Sequence, residues 1–394
     1  MTAKTTLPKT TMPKTTMPLI LPLLIALASC GATPAGDSTI QGPTAFADSN
    51  PFTTRSVATL AEPWALAVLP GCDCALVTEK KGKLKLVGLT DGTVQEVSGA
   101  PVVAYGGQGG LGDVAVSPQF AKDGTVYLTW AEAGEGEVRG AAMGRARLVR
   151  DGATARLDGL TVIWRQSPKV TGRGHFGHRI AFSPDGKYLF LSSGERQKMT
   201  PAQDLSVTLG KVLRLLPDGT PAPANPYAAK GGPGAEIWSY GHRNPLALLF
   251  DGKGQLWDIE HGPAGGDEIN LVKPGSNYGW PLVSNGDHYD GRPIARHAAR
   301  PDLVPPALSW NPVIAPGGAI FCRCTAFPAW NGNVLIAALG AQGMVRVGLS
   351  GETAREVERY NMDSRMRAIA EGPDGRLWLL EDGPSGRLLQ LVPR

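Results

Sequence analysis

Between Pro63 and Leu391 the chain returns again and again to one phrase: a short apolar run, a turn carrying Pro, Gly or Asp, then a second apolar run. It reads WALAVLPGCDCALVTE at 64–79, VAVSPQFAKDGTVYLTW at 114–130 and IAFSPDGKYLFLSSGE at 180–195. It returns as LALLFDGKGQLWDIEHG at 246–262, AIFCRCTAFPAWNGNVLIAALG at 319–340 and IAEGPDGRLWLLEDG at 369–383. One or two further strand-like runs, such as KLKLVGL and KVLRLLPDG, follow each copy. Self-similarity at periods of some tens of residues marks repeat architectures, and strand-only units with Gly and aromatic turns predict propeller blades. The six copies therefore predict an all-β, six-bladed β-propeller with four-stranded antiparallel blades. After the last phrase only about three strands fit before Arg394. The segment around Ser56–Leu60 supplies the fourth, so the two termini close one blade and remove two open sheet edges. Two stacked β-sandwiches would not bring back the same hairpin.

Composition changes this picture little. The 51 glycines and 33 prolines of the 394 residues are scattered between apolar runs, as a turn-rich fold requires. A net charge of +4 from 39 basic and 35 acidic residues is too balanced to point to nucleic acid. The N-terminus adds an address. Lys4, Lys9 and Lys14 precede an apolar run, Met17 to Ala28, that is too short for a spanning helix. It ends in Leu27-Ala28-Ser29-Cys30, which resembles a bacterial lipobox, where the cysteine is acylated and becomes the first mature residue. The expected organisation is a lipoprotein signal peptide over 1–29, a flexible tether over 30–52 and a propeller over 53–394, held on the periplasmic side of a membrane through Cys30, the outer one if the host has two. Cys72-x-Cys74 and Cys322-x-Cys324 permit strained i,i+2 disulfides in an oxidising compartment, or a zinc site if all four converge.

The polar phrases sit where blades open. His175 and His178 precede the strand of the third copy, and a histidine at a channel mouth can serve as a general base near neutral pH. Gln108 and Asp113 open the second blade, Arg243-Asn244 the fourth, and Arg365-x-Arg367 the sixth. First strands line the axis of a propeller, so these side chains should converge into a pocket for a planar, anionic ligand. The phrase from Glu260 through Gly262, Pro263, Asp267, Glu268 and Asn270 to Tyr278 is rich in carboxylates and carbonyl-exposing turns, the ligands of a hard cation such as calcium; a solvated acidic loop is the competing reading.

Taken in order, GQGGLGDVAVSPQF, HFGHRIAFSPDG, AQDLSVTLGKVLRLLPDG, SYGHRNP, EHGPAGGDEINLVKPGSNYGWP and IAPGGAIF resemble the soluble PQQ-dependent aldose sugar dehydrogenases, the glucose/sorbosone dehydrogenase family, from about Pro63 to Leu391. The resemblance implies oxidation of an aldose C1 hydroxyl to a lactone, with PQQ on the axis and Ca2+ as second cofactor. His175 then matches the general base. Gln108, Arg179, Arg243 and Asn244 match positions around quinone and sugar, and Arg365 and Arg367 the pair that holds the PQQ carboxylates. Gly262 and Pro263 match carbonyl ligands of the calcium beside PQQ, and Glu268 with the Tyr278 carbonyl a second, structural calcium. Two positions depart from the pattern: Gly340 stands where many members carry a PQQ-binding lysine, and Gly174 where glucose-specific relatives can carry an acid. The implied partners are an aldose and an external electron acceptor, a cytochrome or a quinone. The rival readings are a non-catalytic propeller lipoprotein that binds a partner, and a calcium-dependent propeller lactonase.

Overall fold

The computed structural model describes residues 1–2, 40–42, 44–152 and 154–394. The chain divides into two compact units, Met1–Gly36 and Asp37–Arg394, and every strand among the described residues lies in the second. Cys30 and nearly all of the expected leader fall outside the described residues.

The fold is all-β, built largely of four-strand antiparallel meanders, the sheet pattern of a β-propeller. Each repeated phrase folds as the inner hairpin of one meander. The second strand of a hairpin is buried along its whole length, as in Cys74–Glu79, Leu189–Ser193, Leu256–Glu260 and Leu377–Glu381. Strands covered on both faces read as continuous apolar runs, which explains the phrase. Outer strands such as Phe52–Leu60 and Thr154–Arg165 mix buried and exposed positions instead. The innermost strands touch in cyclic order: Pro63–Val68, Leu111–Val116, Gly177–Phe182, Pro245–Phe250, Pro316–Phe321, Met366–Glu371, and back to Pro63–Val68. Apolar clusters fill the spaces between neighbouring sheets around this ring. One gathers Trp257 and Trp310 with Val334 and Ile336, and another sets Trp378 against Ala75 and Val77.

Every innermost strand shows a register shift within its first few residues. Such bulges bend a strand and re-aim its side chains, which is how otherwise apolar strands deliver polar groups to the axis. The ring closes as expected from the sequence: Phe52–Leu60 pairs antiparallel with Gly386–Pro393. The tether expected over 30–52 is not free along its length, however. Ile40–Gln41 runs parallel to Leu308–Trp310, and the Ala47 N–H donates to the Arg359 carbonyl at 2.8 Å. Leu308–Trp310 otherwise ends its sheet with an unpaired edge, and the passing chain satisfies it. Cys72–Cys74 and Cys322–Cys324 are each disulfides, so the four sulfurs form no common zinc site.

One side chain ties the ring together. Arg179 donates from Nη1 to Asp113 Oδ1 at 2.9 Å, from Nε to the Leu246 carbonyl at 2.8 Å and from Nη2 to the Gly317 carbonyl at 2.5 Å. Its guanidinium lies 3.9 Å from the Trp64 ring centroid. Residues from five meanders therefore meet on one buried cation. Removing one partner of a buried pair strands the other charge, at about 3–5 kcal/mol. Asp113→Asn is expected to lower unfolding free energy by roughly that amount, read as a fall in the urea midpoint at unchanged slope. An unchanged midpoint would show that the ring does not depend on this pair.

Candidate active site

The loop that carries His175 is held in an unusual backbone. His175, His178, Arg196, Gln197 and Met199 all have positive φ, between 49° and 63°. Left-handed non-glycine residues are costly and persist only where the surroundings over-determine them. Arg196 supplies much of that restraint. It is buried, stacks 3.8 Å from the Phe176 ring centroid, and donates to the carbonyls of Gly174 at 2.8 Å, Gly172 at 2.7 Å and Arg139 at 2.5 Å. Gly177, at φ +67°, has no room for a Cβ, which would come within 2.7 Å of the Gly194 nitrogen.

His175 is itself oriented at both ends. Its backbone N–H donates to Gln108 Oε1 at 2.7 Å, and its ring Nδ1 meets Glu195 Oε1 in a short hydrogen bond. Glu195 is fully buried, and its second oxygen accepts the Met199 N–H. A carboxylate at Nδ1 sets the tautomer with the proton on that nitrogen and leaves Nε2 as the basic atom. Burial lowers the His175 pKa against the upward pull of Glu195, with Arg243 adding to the decrease. His178, the neighbouring histidine, is packed between Trp64 and Phe176, its Nδ1 has no partner, and burial drives its pKa down to about 3.

Asn244 and Arg243 are set by one carboxylate. Glu260 Oε2 accepts their backbone N–H groups at 3.1 and 2.6 Å, and Asn244 Oδ1 in turn accepts the Gly177 N–H at 3.1 Å. Gln108, Phe176, Gly177, Asn244, Arg365 and Arg367 line a cavity of ≈ 200 Å³ whose apolar walls include Trp64, Leu246 and Leu339. Arg365 and Arg367 share Asp382, at 3.0 and 2.7 Å, and although burial opposes it the two arginines hold that carboxyl below its ordinary range. Lys80 lines the same cavity, so its lining carries more positive charge than Asp382 balances. Gly340 itself does not line this cavity, and Lys80 reaches it from another blade, its Nζ donating to the Gly107 carbonyl at 3.0 Å. A Cβ at Gly340 would stand 3.0 Å from the Ile314 carbonyl, too tight for a side chain without adjustment. At Gly174 the space an acid would enter holds the Gln197 side chain, 2.5 Å from a Cβ built there.

Arg179 departs from its expected position around quinone and sugar. Its bonds to Asp113, Leu246 and Gly317 turn it into a second cavity of ≈ 160 Å³ between the innermost strands, away from Gln108 and Asn244. Gly262 and Pro263, expected at one calcium, and Glu268 and Tyr278, expected at a second, line a single small cavity with Glu260, Trp280 and Ser284. Glu268 stands opposite Glu260 in the sheet register, and burial followed by Glu260 raises its pKa well above the ordinary range. A Cβ at Gly262 would collide with the carbonyl oxygens of Gly265 and Gly266, each at 2.2 Å, so only glycine fits this gathering of oxygens. Glu195 and Lys80 were not singled out from the sequence, and Glu260 was expected in a cation-binding loop and not as an acceptor for backbone N–H groups. A signal existed: a glutamate recurs at or just beyond the end of the second strand, at Glu79, Glu195, Glu260 and Glu381.

The pKa balance at His175 makes a measurable statement. A depressed pKa keeps the ring neutral and basic until the pH falls through that lowered value, so the ring should titrate below the ordinary 6.5 of histidine. Glu195→Gln removes an upward contribution and should move the midpoint lower still. NMR titration of the His175 ring reads both; a wild-type midpoint above 6.5, or an upward move in the variant, contradicts this account.

Comparison with known proteins places this geometry among related chains. The Glucose / Sorbosone dehydrogenase family matches residues 60–390. The aldose sugar dehydrogenase YliI of Escherichia coli (strain K12) is 38% identical over 343 residues, 85% of this chain and 91% of that protein. The crystal structure of the soluble aldose sugar dehydrogenase from Escherichia coli in the apo-form superposes with a TM-score of 0.81 at 36% identity, covering 87% of this chain and 100% of that one. The PQQ-bound form of an aldose sugar dehydrogenase from Streptomyces coelicolor gives a TM-score of 0.69 at 30% identity over 86% of this chain and 98% of that one.

Proposed function

The chain belongs to the glucose/sorbosone dehydrogenase family and is a PQQ-dependent aldose sugar dehydrogenase, and on that footing we propose that His175 is the general base that takes the proton from the C1 hydroxyl. The observation that carries this role is the buried His175–Glu195 pair with Nε2 left as the basic atom. Glu195 holds Nδ1–H and stabilises the ring once it is charged. Gln108 keeps the loop in register through the His175 N–H, and Asn244 does so through the Gly177 N–H. The residues that would hold PQQ are Arg365, Arg367 and Lys80 against its carboxylates, with Gln108 and Asn244 at its polar edge and Trp64 and Leu246 against its plane. A cavity with excess positive charge and flat apolar walls suits a planar polycarboxylate. Bound PQQ supplies acceptance of a hydride from C1, with calcium as Lewis acid.

The proposal extends to calcium, product and architecture. Gly262 and Pro263 offer carbonyl oxygens, and Glu268 with the Tyr278 carbonyl offers a second set; the collision-tight glycine and the buried Glu268 facing Glu260 across the sheet support a cation there. Oxidation at C1 yields a lactone, and electrons leave to an external acceptor, a cytochrome or a quinone. The closed cycle of innermost strands supports six blades. Leu27-Ala28-Ser29-Cys30 supports acylation at Cys30, which would keep the enzyme near membrane-bound acceptors on the periplasmic side and raise their effective concentration.

Purified apoprotein should gain dye-linked aldose oxidation on addition of PQQ and calcium together. His175→Ala should cut turnover by about 10²–10⁴-fold while PQQ still binds by absorbance titration; near wild-type turnover removes His175 from the base role. For the anchor, cells expressing wild type and Cys30→Ala are fractionated. The wild type should be in membranes and the variant in the soluble periplasm, and equal soluble amounts of both end the lipid reading.

A further inference from the structure

Gly107 and Gln108 line the cavity that Arg365 and Arg367 also line, and the loop leading into them leaves two large apolar side chains open to water. Val102 is 95% exposed and Tyr105 44%. Single exposed apolar side chains are ordinary on a protein surface, but two in one short loop at the lip of a cavity form a contact patch. The loop is held in place. The Ala104 N–H donates to the Ala131 carbonyl at 2.7 Å, and Gly106 and Gly109 exchange backbone hydrogen bonds at 3.2 and 2.9 Å. The Gln108 N–H donates to the Arg173 carbonyl at 2.8 Å, and the Tyr105 hydroxyl donates to Glu62 at 2.8 Å. A pre-ordered patch loses little freedom when it is covered.

Cations surround the patch. Lys80 and Lys81 each place Nζ 5.8 Å from the Tyr105 ring centroid. Arg173 lies across the glycines of the lip, its Nη1 3.2 Å from a Cβ built at Gly106. Lys198 reaches Thr171 Oγ1, two residues before Arg173, at 3.3 Å. Arg173 and Lys198 are exposed, and neither forms an ion pair among the described residues. Glu62 stands against this charge, 3.6 Å from Lys81, and it is already engaged by Tyr105. Lys80 lines the cavity, whereas Lys81, Arg173 and Lys198 do not, so carboxylates bound inside would leave these three facing solvent. An apolar centre beside the redox cavity with positive charge around it suits a brief encounter, steered by charge and small in area.

We infer that Val102 and Tyr105, ringed by Lys81, Arg173 and Lys198, are the docking surface for the electron acceptor, and that this acceptor is an acidic one-electron carrier protein. The inference rests on the proposed passage of electrons to an external acceptor and chooses between the classes named there. Each carrier takes one electron, so two dock in turn for every aldose oxidised, and the two protons go to solvent.

Steady-state kinetics of the PQQ- and calcium-loaded enzyme test it, with glucose saturating and three acceptors: native cytochrome c, which is basic, its succinylated and therefore acidic form, and the small neutral p-benzoquinone. At low salt, kcat/KM for the succinylated form should exceed that for the native form by about tenfold or more, and the advantage should shrink as ionic strength rises. Reversing both charges, in Lys81→Glu with Arg173→Glu, should lower kcat/KM for the succinylated form by about tenfold and leave p-benzoquinone reduction unchanged. Val102→Ser should lower the carrier rate by about three- to tenfold at every salt concentration. Equal rates with the two forms of cytochrome c, or a charge-reversed enzyme that reduces the succinylated form as fast as wild type, overturns the docking surface. So does a fall in p-benzoquinone reduction that matches the fall with the carrier, since the damage then lies in the cavity. Wild-type enzyme that reduces no p-benzoquinone with any aldose would sink the sugar oxidation itself, and the surface with it.

Discussion

A propeller must join sheets that share no backbone hydrogen bonds across most of its axis, and here Arg179 makes that join. Innermost strands bend away from one another at their bulges, which leaves carbonyls such as those of Leu246 and Gly317 facing a narrow core. A planar cation with several divergent donors can satisfy them together, and Asp113 balances its charge. Lysine, a point charge on a flexible stem, could not reach the same acceptors in fixed directions. With the axis held in this way, the cavity lined by Gln108, Asn244 and Arg367 sits on a rigid floor.

Above that floor, buried carboxylates set backbone as well as side chains. Glu195 aligns the His175 ring and the Met199 N–H, while Glu260 aligns two consecutive N–H groups at Arg243 and Asn244. Each carboxylate divides its oxygens among several donors, so no single substitution at these positions is local. The left-handed residues around His175 are tolerable for the same reason. Their strain is distributed among Arg196, Gln108 and Glu195, and the base arrives already oriented.

Much of this was legible in the sequence because the inner hairpins repeat. Their buried second strands read as unbroken apolar runs, and the polar residues that open each blade stood out against them. His175, Gln108, Asn244, Arg365 and Arg367 could be nominated from position alone. Arg179 shows the limit of that logic. A residue at the mouth of an innermost strand can turn toward the axis or toward the ligand cavity, and the bulge after Gly177 decides which. Glu195 was hidden because glutamates recur at corresponding places with unlike duties: Glu79 accepts the Ala61 N–H, and Glu381 pairs with Arg387. Lys80 follows one of those glutamates directly, in a stretch that reads as an exposed turn. The contact of Ile40–Gln41 with Leu308–Trp310 had no periodic signature, since two residues carry none.

The pairing of Phe52–Leu60 with Gly386–Pro393 has a consequence for how the molecule comes into being. During translation the first of these strands emerges hundreds of residues before the second. It must wait without its partner while every intervening sheet is made. No nascent chain can complete the ring until Gly386–Pro393 has left the ribosome. A chain that stops short of Gly386–Pro393 has no partner for its first strand and cannot close.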